Sequence, residues 1–167
     1  MQAVYKNTGT VKITDGETDY EYSCFRSDKY VRGTHVPVEI FFTKDILLDA
    51  KRRDFTVNAI YYDVAKEEYV DPLLGIPAVK EKRLTTVDKA EKVFGEDGLR
   101  LMRLARQAAQ LGFEPDENCL LGATENAKLI EDISPERVLE ELLAILTADN
   151  KCGVANAPYH GFEILEK

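Results

Sequence analysis

The 167 residues contain no apolar run long enough to cross a membrane, few cysteines and no excess of positive charge. Each shortage excludes something. A membrane helix needs about 20 predominantly apolar residues in a row, and the first residues lack the charged, apolar, small-residue order of a signal peptide. A cytoplasmic protein with no membrane partner is expected. Cys24, Cys119 and Cys152 stand far apart with no C-x-x-C spacing, which disfavours both a disulfide framework and a zinc site. The net charge of −8 argues against coating nucleic acid through overall charge, so any such contact must be local. No internal repeat is visible. What is present is 44% hydrophobic residues, enough to build a core in one or two small domains.

The first half reads as strands. Thr10 to Thr14 is rich in β-branched residues and ends at Asp15-Gly16, a hairpin signal, with Tyr20 to Phe25 as partner. Val38 to Thr43 and Phe55 to Tyr62 are further β-rich runs, Lys44 to Lys51 reads as a short helix or turn, and Tyr69-Val70 runs into Asp71-Pro72. From about Val87 the period changes. Leu101, Leu104, Ala105 and Ala108 recur at helical spacing, predicting a helix over 96–111 that Gly112 stops. A second helix is expected over 117–131. A third follows Ser134 as cap and Pro135 in the first turn, with Val138, Leu139, Leu142, Leu143 and Leu146 as its apolar stripe. The last residues start another helix, expected to be too short to bury much.

Two constellations could carry chemistry. On the helix over 96–111, the residues Glu96, Asp97, Arg100, Arg103, Gln107 and Gln110 share a stripe opposite the apolar one. Asp97 only accepts hydrogen bonds and Arg100 only donates them. Together they match a base edge showing an amine beside a ring-nitrogen acceptor, as cytosine and adenine do. Uracil and guanine would leave buried groups unpaired. An ordinary exposed ion pair would have the same spacing. The second constellation is KRRDFTVNAI, residues 51–60. Arg52 and Arg53 could hold phosphates, Asp54 could accept from a ribose hydroxyl, and Asn58 could brace the strand. Solvated charges at the start of a strand, followed by one satisfied amide, would look alike. The remaining basic clusters, Lys80-Lys82-Arg83 and Arg100-Arg103-Arg106, sit among acidic neighbours as a mixed-charge face would.

RRDFTVNAI, the Asp71-Pro72 that precedes Gly75, GEDGLRLMRLAR and ISPERVLEEL occur in the order and spacing of the class II tRNA nucleotidyltransferases and bacterial poly(A) polymerases. TGTVKI, YEYSCFR and VPVEIFF resemble strands of the same family. The resemblance runs from about residue 4 to 165. It implies that Arg52, Arg53 and Asp54 meet the sugar and phosphates of an incoming nucleotide, with Asn58 in support. It also implies that Asp97 and Arg100 act as a protein template for CTP and ATP, that Glu96 orients Arg100, and that Arg103 belongs to the same site. The family adds C, C and A, or A alone, to the 3′ end of tRNA or other RNA.

Some of the family pattern is missing. The family holds its magnesium ions with a Gly-Ser followed by an Asp-x-Asp pair, and these residues contain no such motif. Glu21 matches an acidic strand position near the metals and is the one candidate metal ligand. Leu74-Gly75 replaces a double glycine, Val87-Asp88-Lys89-Ala90 replaces Gly-Asp-Pro, and Gln107 replaces an aromatic. The expected fold class is therefore α+β: a partial nucleotidyltransferase head of mostly antiparallel strands over 1–86, then a truncated helical neck over 87–167. Such a fragment is expected to recognise nucleotide without transferring it, unless an N-terminal chain complements it. An incomplete sheet exposes an edge. Self-association through that edge is expected, and sedimentation at micromolar concentration should show a species larger than the monomer.

Overall fold

The computed structural model describes residues 2–31 and 35–167. Local chemistry sets its first elements. Asp15 accepts from the backbone N–H groups of Glu17 and Thr18, and Gly16 takes a φ of +104°. That turn closes the antiparallel hairpin of Thr10–Thr14 (β2) and Asp19–Ser23 (β3), as the sequence predicts. Gln2–Tyr5 (β1), which its composition does not single out, pairs antiparallel with the other side of β2. Arg26–Lys29 (β4) and Glu39–Phe42 (β5) form a separate antiparallel pair. Arg26 links the two sheets by donating to the carbonyl of Thr8 at 3.0 Å.

Asp45 caps the helix Ile46–Lys51 (α1) by accepting from the N–H of Leu47 at 2.8 Å. The strand expected over 55–62 is not formed. Phe55 makes only an isolated bridge to Thr86, Thr56–Asn58 is a 3-10 turn, and regular pairing resumes at Tyr61–Asp63 (β6) against Glu68–Val70 (β7). The cause is Asp54, whose Oδ1 accepts from the N–H of Phe55 and the amide of Asn58 and so curls the chain. Asn58 thus braces a turn.

Asp71 accepts from the N–H groups of Gly75 and Ile76 and starts the helix Gly75–Lys80 (α2). Gly75 packs so tightly that a Cβ would lie 2.3 Å from the Thr56 carbonyl oxygen. Leu74, where the resemblance implies glycine, keeps the turn by adopting the left-handed region, φ +59°, with an exposed side chain. Arg83–Leu84 (β8) pairs in parallel with Glu114–Pro115 (β9).

The helix expected over 96–111 is two helices, Ala90–Glu96 (α3) and Leu99–Leu111 (α4). Between them Asp97 is extended, with φ −147° and ψ 108°, and its side chain accepts from the N–H of Leu99. Gly98 sits against Leu129, whose carbonyl oxygen would lie 2.7 Å from any Cβ there. Gly112 ends α4 in the left-handed region, as expected. Glu117–Asn126 (α5) stops short of Glu131 and continues as a 3-10 stretch to Asp132. Pro135–Leu146 (α6) starts after Ser134, whose hydroxyl makes no capping bond. Of its expected apolar stripe, Val138 and Leu142 pack on the core while Leu139, Leu143 and Leu146 stay exposed.

Ala148–Cys152 (α7) and Ala157–Glu166 (α8) complete the chain. The terminal helix buries more than its length suggests. Ala157, Gly161 and Ile164 join the main core, which also contains Phe55, Leu84, Phe94, Leu104 and Ile145. Ala50, Ala59, Val87 and Val93 form a second cluster, with Tyr61 and Leu73 packed against it. Among the described residues no helix is long and apolar enough to cross a membrane. A Cβ on Gly161 would lie 2.7 Å from Ile145 Cγ2 and 3.1 Å from Ala109 Cβ. Gly161→Leu should therefore lower stability by at least the 1–3 kcal/mol, roughly, of an overpacked core, read as a lower urea midpoint.

Candidate functional site

Two segments meet at the site, the turn after α1 and the start of α4. Val87 N–H donates to the Asp54 carbonyl at 3.1 Å and Thr56 N–H to the Thr85 carbonyl at 2.9 Å, fastening the turn to the segment that leads into α3. Arg103, one turn into α4 beyond Arg100, donates through Nε and Nη2 to Oδ2 of Asp54 at 2.7 and 2.5 Å. Arg100, 5% exposed, donates to the carbonyls of Val93 and Arg52 and to Glu96 Oε2, at 2.8, 2.9 and 3.0 Å. Its guanidinium also lies 5.4 Å from the centre of the Tyr30 ring. These bonds use three of its five donor hydrogens.

The arginines that precede Asp54 share a buried carboxylate. Asp49 accepts from Arg52 Nε at 2.8 Å, from Arg53 Nη2 at 3.0 Å and from the Tyr61 hydroxyl at 2.8 Å. Burial raises the Asp49 pKa, but the bonds from Tyr61 and Arg52 outweigh it and hold the carboxyl below its ordinary value. The Tyr61 hydroxyl is pushed up to about 12 by burial and by its bond to that carboxylate. Arg53 also donates to the Asn58 carbonyl at 3.0 Å and stacks 5.1 Å from the Tyr61 ring centre.

Arg52, Arg53, Asp54, Asn58, Asp97, Arg100 and Arg103 line one open cavity of about 500 Å³. Of the residues expected at a nucleotide site, only Glu96 is outside the lining, and it holds Arg100 from behind. Asp97 reaches the cavity from the break between α3 and α4, so the helical stripe assigned to it and Glu96 is not what places it there. Leu99, Gln107 and Arg137 also line the cavity. Arg137, on α6, donates to Asp97 Oδ2 at 3.4 Å. Sequence reading passed over Arg137 and Asp49. Asp49 was visible in principle, because it lies three and four residues before Arg52 and Arg53 on a helix.

Glu21 is not in this cavity. It projects from β3, half exposed, toward Lys12 at 3.7 Å. Among the described residues no group of three or more Asp, Glu, His or Cys side chains gathers as a metal site.

Residues 1–85 match the family described as the poly(A) polymerase head domain, and residues 112–151 match the probable RNA- and SrmB-binding site of polymerase A. The chain belongs to the class II tRNA nucleotidyltransferase and poly(A) polymerase family. Among relatives in this family, the CCA-adding enzyme of Lactococcus lactis subsp. lactis is 38% identical over 141 residues, covering 83% of the chain and 35% of the relative. The CCA-adding enzyme of Streptococcus mutans is 34% identical over 163 residues, covering 95% and 40%. The chain thus spans well under half the length of either. The Bacillus stearothermophilus CCA-adding enzyme, solved in complex with CTP, superposes with a TM-score of 0.73 at 30% identity, covering 92% of the chain and 39% of that structure. The Thermotoga maritima enzyme complexed with tRNA shares the fold, with a TM-score of 0.75 at 18% identity, over 99% of the chain and 36% of its own. The fold is the family's α+β arrangement of head strands followed by helices.

Asp54 sets a pH dependence. Burial raises its pKa, while the Arg103 guanidinium and the bonds from Asn58, Arg103 and the Phe55 N–H bring it below its ordinary value. A depressed folded pKa contributes stability above the unfolded value, near 3.9, and that contribution disappears as pH falls through the folded value. The stability gap between the native chain and Asp54→Asn should be constant above about pH 5 and narrow below about pH 4. Urea unfolding at stepped pH measures it.

Proposed function

We propose that this chain carries the nucleotide-recognition half of a template-independent RNA nucleotidyltransferase, one that transfers CMP and AMP from CTP and ATP to an RNA 3′ end, as in CCA addition to tRNA. The observation that carries the reading is the single cavity shared by the RRD segment and the Asp97-Arg100 pair, whose motifs lie more than forty residues apart in the chain. The names of the relatives, and the CTP and tRNA bound in related structures, support it.

In this assignment Arg52 and Arg53 hold the phosphates. Asp54 accepts from the ribose by exchanging one of the two Arg103 donors on its Oδ2. Asp97 and the remaining donors of Arg100 read the base edge, with Arg137 giving way at Asp97. Glu96 and Asn58 position their neighbours, and Arg103 anchors Asp54. Residues 1–86 act as the head part and 87–167 as the neck part. The metal chemistry requires a carboxylate pair in addition to the residues assigned here, and an Asp-x-Asp segment supplied alongside them is the proposed complement.

Calorimetry with the four nucleoside triphosphates tests recognition. CTP and ATP should bind and UTP and GTP should not, and Asp97→Ala should weaken both ligands by about tenfold or more, since a buried base partner would be left unpaired. Equal binding of all four would refute the template reading. Incubation with ATP, magnesium and a tRNA lacking its terminal A should give no extension until the Asp-x-Asp chain is added. A non-catalytic nucleotide-binding role predicts the same binding with no restoration.

A further inference from the structure

The two arginines assigned to the phosphates are adjacent in sequence, and nothing in their backbone alone would aim both long side chains into one cavity. Arginine carries large rotamer freedom, and two neighbouring guanidinium groups repel each other. What constrains them is Asp49. Its carboxylate is 1% exposed, so it cannot itself touch a ligand. It lies on α1, where the i,i+3 and i,i+4 spacing brings Arg52 and Arg53 onto it together.

Its bonds are arranged as an aiming device. Oδ1 takes the Nε of Arg52 at 2.8 Å, and Oδ2 takes the Nε and Nη2 of Arg53 at 3.3 and 3.0 Å. Arg52 is thus gripped by Nε, the inner part of its guanidinium, and its terminal nitrogens stay free of Asp49. The carboxylate is held in turn from two other elements: Arg26 N–H of β4 donates to Oδ1 at 3.2 Å, and the Tyr61 hydroxyl of β6 to Oδ2 at 2.8 Å. A second buried carboxylate, Asp28, pairs with Arg26 at 3.0 Å and lies 4.0 Å from Arg52 Nη1.

We propose that Asp49 is the positioning residue for the phosphate half of the site: anchored by β4 and β6, it fixes both guanidinium groups facing the cavity before a nucleotide arrives. The proposal rests on Arg52 and Arg53 being the phosphate ligands. Preset donors lose less freedom on binding, so the effect belongs to the triphosphate and not to the base.

The discriminating measurement is the affinity for CTP relative to cytidine, by NMR titration, in the native chain, Asp49→Asn and Asp49→Glu. Asp49→Asn should lower CTP affinity by about tenfold or more, the scale of a lost charge-assisted bond, and leave cytidine affinity unchanged. Asp49→Glu, which restores the charge on a longer arm, should recover part of the loss. If Asp49→Asn leaves the ratio unchanged, or reduces both affinities alike, Asp49 is a structural carboxylate and the proposal fails alone. If the native chain itself binds CTP no better than cytidine, the assignment of Arg52 and Arg53 to phosphates fails, and the proposal with it. A measurement on the native chain covers the case in which Asp49→Asn does not fold. The Nε–H signals of Arg52 and Arg53, assigned with Arg52→Lys and Arg53→Lys, should exchange slowly with water in the absence of nucleotide. Exchange as fast as that of an exposed arginine would overturn the proposal.

Discussion

The contact of Arg103 with Asp54 ties the turn after α1 to α4, the two segments that supply most of the cavity's lining. Asp54 is buried, where an unpaired charge would be costly, and Arg103 reaches it from a partly exposed position. The turn after α1 brings the buried Asp54 carboxylate and α4 brings Arg103, so Asp54 gains this ion-pair partner only when α4 is docked. Arg100 reinforces the arrangement by donating to the Arg52 carbonyl, which makes a residue on one side of the cavity depend on the backbone of the other. Site and fold are here the same set of bonds.

Around that contact the helices are fixed by size as much as by apolar area. Glu141 on α6 pairs with both Arg103 and Arg106, so the cationic face of α4 is neutralised from behind as well. On its opposite side α4 presents alanines, and Gly161 lets α8 approach them. The break at Asp97 and Gly98 has a similar logic. His35 accepts the Gly98 N–H at 3.1 Å, and Gly98 fits against Leu129, which leaves Asp97 at the mouth of the cavity instead of on a helix surface.

Much of the fold was legible where the decisive chemistry is local. Asp15-Gly16, Asp45, Asp71 and Gly112 each act within a few residues of themselves. The segment 55–62 was misread because Phe55, Val57, Ile60 and the tyrosines favour a strand on composition, while the bonds from Asp54 to the next residues curl it first. The break in the helix at 97–98 was written in the sequence as an Asp before a Gly, but the pairing of Asp97 with Arg100 fits an unbroken helix equally well. Seven of the residues that line the cavity stood in motifs visible in the sequence, while Arg137 did not stand out. Their bonding was not legible, because Arg103 and Arg137 find their partners across 49 and 40 residues of chain.

The cavity also has a consequence for the approach of a ligand. Four arginines converge on one concavity, with Arg137 at its edge, in a molecule whose net charge is −8. Asp54 and Asp97 share that lining, and Asp49 and Glu96 pair with the arginines from behind it, so the cavity presents oriented donors and no large excess of positive charge. Whatever attraction it exerts on a small anion fades within a Debye length, about 8 Å at physiological salt.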